Sequence, residues 1–382
     1  MKTILKARQI FTEAGILTNG AVTVDGAHIT RLDSADSGHV IDLGNARLLP
    51  GLIDLHVHGG GGFDVMDSTV EAVHGMAKYK VTEGVTAFCP TTVTTSLDKT
   101  KAAICTIAKA AQTNADGARL LGTFCEGPYI NPAYKGAHPP EWIRSISLDE
   151  IKDLIDCGGG SIGSFALAPE LNGAPEAIQY LAGRGVTTRI GHSAATHAEA
   201  QNAIDHGART FIHTFNAMSP LTHREVGMAG TALVDDRAYC ELIADFIHVA
   251  PETVRIVYRC KGADKIVLIT DAMKATGLPD GTYMLGEMTV VVKGGVCRTL
   301  DGTLASSTLR MIDAVKNLVS LGVPFEESLR MATENPAKAA GVFGETGSIA
   351  VGKLADFTAI DEDYNILFVM SNGRILLDTR DN

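Results

Sequence analysis

The stretch GLIDLHVHGGGGFD, residues 51–64, sets His56 and His58 one residue apart at the end of an apolar run. Alternate side chains of a strand share a face, so two imidazoles at that spacing can grip one ion. Ligand-type residues recur at the ends of other apolar, β-branched runs. Glu126 follows RLLGTFC, His192 follows VTTRIG, His213 sits in RTFIHT and Asp271 follows KIVLIT. Histidine and carboxylate hold zinc or iron while leaving positions open for water and substrate. An ion held this way acidifies water enough to furnish a nucleophile near neutral pH. A lone HxH is a weak signal, and an isolated histidine is more often a core residue bonded to backbone. Several strands delivering such residues to one place is far less expected by chance. The four glycines 59–62 lack a following GK[ST], which argues against a nucleotide loop and for close backbone approach. Cys125 has no evident base partner and reads as packing.

The elements that must position these residues are rhythmic. Short apolar runs at 51–57, 85–93, 119–125, 163–168, 186–191, 209–214, 239–245 and 265–270 alternate with helical stretches. Runs apolar on both faces, separated by helices, mean parallel strands covered by helices. Eight such units fit an α/β (β/α)8 TIM barrel, in which catalytic side chains sit at the C-terminal strand ends. Those ends, in order, offer His56 and His58, Thr91 and Thr92, Glu126, Glu170, His192, His213, the neighbourhood of His248, and Asp271. Ser68 with Glu71 is the expected capping box of the first helix, and Gly207 the expected stop of THAEAQNAIDHG. The segment 271–305 reads as the largest irregular loop. Both ends of the chain are β-rich, with hairpin turns at Asp25-Gly26 and Asn372-Gly373. They predict a small β-sandwich domain from 1–50 plus 343–382, with the barrel at 51–342.

Bulk properties narrow the function. The 382 residues suit one large and one small domain, and a net charge of −11 argues against nucleic-acid or anionic-membrane binding. No long uncharged apolar stretch predicts a membrane span, and MKTILKARQIF makes a poor signal peptide. Seven scattered cysteines, with no CxxC, point to reduced thiols and a cytoplasmic setting.

GLIDLHVHG, EGPYINPAYKGAH, GHSAAT, HTFNAMSPLTHRE and ITDAM occur in that order, with GKLADF near the end. In them the chain resembles the amidohydrolase superfamily and, more narrowly, its N-acetylglucosamine-6-phosphate deacetylase family. The resemblance implies metal-dependent hydrolysis of the acetamide of N-acetylglucosamine 6-phosphate, with N-acetylgalactosamine 6-phosphate as the alternative. It implies a divalent metal, zinc or iron, as one ion or a binuclear pair. Glu126, His192 and His213 match the ligands, and His56 and His58 are expected to hold a second ion. There is no lysine in ALAPE at the fourth strand end, so a carboxylated-lysine bridge is not expected. Asp271 matches the general base; its plainer role is a helix N-cap ahead of AMKATG. The resemblance assigns substrate contacts to Ala137, His138, Asn216, Ala217, Arg224, His248, Leu304, Ala305 and Ser306. Arginine suits phosphate because its planar fork donates two parallel hydrogen bonds. In this family that arginine can come from a neighbouring subunit, which implies a homodimer. His28, His39, His74, His197, His206 and His223 are expected to be solvated or structural. A non-catalytic protein on the same barrel would have shed ligands, and here Glu126, His192, His213 and Asp271 all stand.

Overall fold

Eight short parallel strands make the barrel wall: β1 (Leu52–Val57), β2 (Val85–Thr92), β3 (Thr123–Cys125), β4 (Ile162–Leu167), β5 (Thr187–Ile190), β6 (Ala208–Phe211), β7 (Tyr239–Ile243) and β8 (Ile266–Ile269). They pair in sequence order from β1 to β8 in this computed structural model, which describes residues 2–33, 37–113 and 116–380. Each expected run overlaps one of these strands. The third is interrupted: Arg119–Leu120 pairs with β2, and the chain then bends at Gly122, with φ 111°, before β3 begins.

The seam between β8 and β1 is closed by few backbone bonds. The Asp271 N–H donates to the His56 carbonyl at 2.9 Å, and the His58 N–H to the Ala272 carbonyl at 2.9 Å. Below them Asp54 clasps both strands. It accepts from Thr270 N at 3.3 Å, from Thr270 Oγ1 at 2.5 Å and from His56 N at 3.4 Å. Lys80, wholly buried, donates to Asp54 at 3.0 Å and Glu83 at 2.6 Å, so one ammonium is shared between the two buried carboxylates. Ile53, Leu55, Val85, Phe88, Leu242, Leu268 and Met311 share the main core with the first and last helices.

Local chemistry sets the helix ends, with one correction. The first helix, Val70–Val81, is capped by Thr69, whose hydroxyl accepts from Ala72 N. Ser68 instead ends a preceding 3-10 turn in a left-handed conformation, with φ 53°, so the expected Ser68 cap does not form. Helix His197–His206 starts with a Thr196–Glu199 capping box and stops at Gly207.

Both termini build one continuous eight-stranded sheet. Thr3–Thr12 pairs with Gly15–Asp25, and Arg47–Pro50 joins the two chain ends by pairing antiparallel with Phe357–Ile360. Leu5, Ile10, Val22, Leu48, Phe357 and Phe368 fill its own core. Both expected hairpins form, with Asp25 opposite His28 and Ser371 opposite Arg374.

The segment 271–305 is not the irregular loop expected from sequence. It carries a three-stranded antiparallel sheet, Gly281–Leu285, Met288–Lys293 and Val296–Thr299. Leu285, Val290, Val292 and Cys297 bury one face. The Gly294-Gly295 turn between β-branched runs was the available signal. Its hairpin tip is tied to the barrel rim by Glu287, which accepts from Thr95 Oγ1 at 2.6 Å and from Lys99.

Candidate metal centre and active site

Glu126, one residue past β3, organises the C-terminal rim. Its Oε1 lies 3.3 Å from His192 Nε2 and 3.1 Å from His213 Nε2. Its Oε2 lies 3.4 Å from His56 Nε2 and 3.2 Å from His58 Nε2. Asp271 Oδ1 stands 3.1 Å from His58 Nε2 and 3.6 Å from His56 Nε2. One carboxylate therefore faces two ligand groups, Glu126 with His192 and His213, and His56 with His58 and Asp271.

Three of the side chains sit in strained backbone. His192, His213 and Asp271 each stand two residues beyond a strand end, at φ 46°, 27° and 49°. Left-handed backbone costs a non-glycine residue on the order of 1–3 kcal/mol and gathers where function over-determines geometry. Ala217 (φ 49°) and Ser306 (φ 53°), also on this rim, share it. The glycine loop allows the close approach expected of it. A Cβ on Gly61 would stand 2.7 Å from the Tyr79 ring, and its φ of 61° is itself left-handed.

The donor set fits a divalent metal. His58 Nδ1 donates to the Thr91 carbonyl at 3.1 Å, and His192 Nδ1 to the Tyr134 carbonyl at 2.9 Å. A carbonyl only accepts, so each Nε2 in the neutral ring is a bare lone pair aimed at Glu126. His56 Nε2 is buried without a hydrogen-bond partner. His192 and His213 face each other Nε2 to Nε2 at 3.1 Å. Ligands about 2.0–2.1 Å from a tetrahedral zinc ion stand ~3.3 Å apart, close to these spacings.

Electrostatics describe the same cage with protons in place of cations. Burial opposes charge on His56, but Glu126 and Asp271 outweigh it and hold the imidazole well above its ordinary value. His58 is raised to about 9 against the same burial, by its bonds to Asp271 and Glu126. Burial works against ionised Glu126 and Asp271 too. The histidines win, taking Glu126 well below the usual range and Asp271 to about 2.

The rim opens into a cavity of about 310 Å³. Ala137, His138, Asn216, Ala217, His248, Leu304, Ala305 and Ser306 line it, together with His58, Glu126, His192, His213 and Asp271. Burial and the neighbouring His192 push His138 down to about 3, so it is neutral. Its Nδ1 accepts from Thr94 N at 3.3 Å, which leaves the proton on Nε2, facing Glu126 at 3.9 Å. His248 is fixed by Asp245, with Nδ1 to Oδ2 at 2.7 Å. Ser306 Oγ lies 3.4 Å from Asp271 Oδ1.

Arg224 is not brought there. Residues 220–225 turn out to solvent, and no lysine or arginine is among the described residues lining the cavity. Asp271 caps no helix, since 272–280 contains none. Cys125 is buried packing, its thiol pushed up to about 12 by burial. Of the histidines set aside, His74 bonds the Ala110 carbonyl and His197 the Thr231 hydroxyl, both structural. Sequence reasoning placed Glu170 at the fourth strand end but missed its role: it accepts from Asn131 Nδ2, Ser193 Oγ and Ala194 N and so braces the loops on either side of His192. It also missed the buried Arg189 and Glu241. Charged residues inside otherwise apolar strands were the signal.

The amidohydrolase family profile matches residues 47–376. The N-acetylglucosamine-6-phosphate deacetylase of Vibrio furnissii is 41% identical over 365 residues, covering 94% of this chain and 91% of that protein. The N-acetylgalactosamine-6-phosphate deacetylase of Escherichia coli O157:H7 is 41% identical over 376 residues, covering 98% and 99%. The crystal structure of N-acetylglucosamine-6-phosphate deacetylase from Pasteurella multocida matches with a TM-score of 0.93 at 34% identity, covering 98% and 99%. With that profile spanning most of its length and these relatives at such identity, the chain belongs to the amidohydrolase family.

Proposed function

We propose that this protein is a metal-dependent deacetylase that converts N-acetylglucosamine 6-phosphate and water to glucosamine 6-phosphate and acetate. The observation that carries the reading is Glu126, each oxygen facing a separate pair of imidazoles, with Asp271 at the edge of the same cavity. A divalent metal, zinc or iron by donor chemistry, supplies Lewis acidity toward the amide carbonyl and toward water. His192 and His213 with Glu126 would hold one ion, and His56 and His58 with Glu126 and Asp271 a second.

Asp271 takes the proton of the attacking water and then delivers it to the departing amine. Its depressed pKa keeps it ionised, the form in which a carboxylate can act as a base. The His138 Nε2–H donates to the acyl oxygen as charge gathers there, and a neutral ring does so without repelling the ions. Leu304, Ala305 and Ser306 bound the sugar. Asn216, the Ala217 backbone and His248 receive the phosphate, and Arg224 completes that pocket from the second copy of a homodimer. The exposure of Arg224 supports this, because an anion inside a cavity without a cation of its own needs one supplied. Residues 51–342 form the catalytic unit of this cytoplasmic enzyme, and 1–50 with 343–382 the small β unit supporting it.

The galacto epimer is the second reading, favoured by the Escherichia coli relative, which matches as well as the Vibrio one. Acetate release from the two sugar phosphates, measured side by side with metal-loaded enzyme, separates them. The account expects a higher kcat/KM on the gluco sugar. A higher value on the galacto sugar reverses the assignment, and no release from either overturns it.

A further inference from the structure

Beneath the rim lies a buried charge pair that takes no part in the chemistry above. Glu241, from β7, is fully buried, and Arg189, from β5, nearly so. Arg189 Nη1 donates to Glu241 Oε1 at 2.6 Å and to the Leu55 carbonyl at 2.8 Å. Its guanidinium stands 4.1 Å from the centre of the Phe124 ring. The other carboxylate oxygen, Glu241 Oε2, is 3.1 Å from His56 Nδ1. Three strands are thus tied across the barrel interior, directly below His56.

We propose that Glu241 and Arg189 are positioning residues for the ion site at His56 and His58. Glu241 holds the proton of His56 on Nδ1, so the Nε2 lone pair points at the site. Arg189 holds Glu241 charged and aimed. The inference rests on the two-ion reading above. A carboxylate behind a metal-binding imidazole fixes tautomer and ring orientation and raises basicity, and losing it costs about 10–100-fold in metal affinity. The other three imidazoles differ: His58 and His192 lean on backbone carbonyls, and His213 Nδ1 is buried with no partner among the described residues. A side-chain substitution can therefore switch the His56 ring without disturbing the other three.

Hydrogen-bond polarity gives a sharp test. In Glu241→Gln the amide oxygen stays with Arg189, a pure donor, and the NH2 is left facing Nδ1. Nδ1 must then accept, the proton moves to Nε2, and the ring can no longer ligate. In Arg189→Met/Glu241→Gln the amide is free to turn its oxygen to His56, restoring the ligating tautomer. Removing both charges together also avoids stranding a buried one.

The experiment is stepwise cobalt(II) loading of metal-free enzyme, read by metal content and by visible absorption. Wild type is expected to bind two ions. Glu241→Gln should bind the first as wild type does and the second about 10–100-fold more weakly. The double variant should recover most of that loss. Unchanged affinity for the second ion in Glu241→Gln overturns the inference. So does weakening of both ions together with a still weaker double variant, which is the mark of a merely structural pair. A wild type that never exceeds one ion overturns the two-ion reading and this inference with it. Should Glu241→Gln not fold, the double variant decides alone: second-ion affinity within about tenfold of wild type supports the proposal, and its loss overturns it.

Discussion

The floor and the outer end of the cavity are built by opposite means. At the floor, His56, His58, Glu126, His192, His213 and Asp271 are all buried, and most are held by a further hydrogen bond or by neighbouring backbone. At the outer end, Asn216 and Ala217 are half-buried, the cavity offers no permanent cation among its described lining residues, and Arg224 points to solvent. The contrast follows from what each end must do. Ligands for an ion must be rigid before it arrives, because several anions and lone pairs converge within about a bond length of it. On the proposed function, a phosphate that comes and goes would be served there by half-exposed donors and by a charge from the second copy.

If the floor carries the chemistry, the largest effect comes from Asp271. Asp271→Asn should keep its metal and lose about 10²–10⁴ in kcat, the usual contribution of a general base. Near wild-type kcat removes Asp271 from the mechanism and breaks the division between the two ends. Second in size is the His56→Gln/His58→Asn double variant, which should fall from about two bound ions per chain to one by metal analysis. Retention of two would move the second site elsewhere.

Effects at the outer end should be smaller and should depend on the phosphate. Arg224→Ala removes a charge-assisted bond of about 1.5–3 kcal/mol, so kcat/KM on the phosphorylated sugar should fall more than tenfold. Residual activity on the unphosphorylated sugar should barely change, and an equal fall on both would place Arg224 in the fold or the chemistry. The smallest expected effect is Asp245→Asn. It leaves His248 in place with a weaker partner and should raise KM about fivefold, roughly 1 kcal/mol, with kcat held. A matching fall in kcat would tie His248 to the floor.

The same contrast explains what could be read from sequence. Floor ligands sit at strand ends, and the strands are short apolar runs at recurring intervals, so HxH, His192, His213, Glu126 and Asp271 were legible together. Their supports were not. Arg189 and Glu241 are single charged letters inside VTTRIG and YCELI, and only closure of the barrel brings them under His56. Asp54 likewise reads as part of GLIDLHV, although it clasps Thr270 across the seam, more than two hundred residues away in sequence. Ser68 and Thr69 are both good caps, and the choice fell to Thr69 because Asp64 and Asp67 had already folded the preceding turn. The insert at 281–299 was read as part of an irregular loop because its strands, of only four to six residues, follow the last barrel strand and lie outside the recurring strand–helix rhythm. Arg224 shows the remaining limit: the resemblance alone proposes it as a phosphate contact, while its position within one chain does not reach the cavity.

The central claim is that ions held by the floor are required for hydrolysis. Its most direct test strips the purified enzyme with a chelator, verifies metal content, and follows acetate release from N-acetylglucosamine 6-phosphate as zinc or iron(II) is returned stepwise. The account predicts negligible release at zero ions and recovery in step with occupancy of the site built on Glu126. Wild-type turnover by enzyme shown to be metal-free would contradict it.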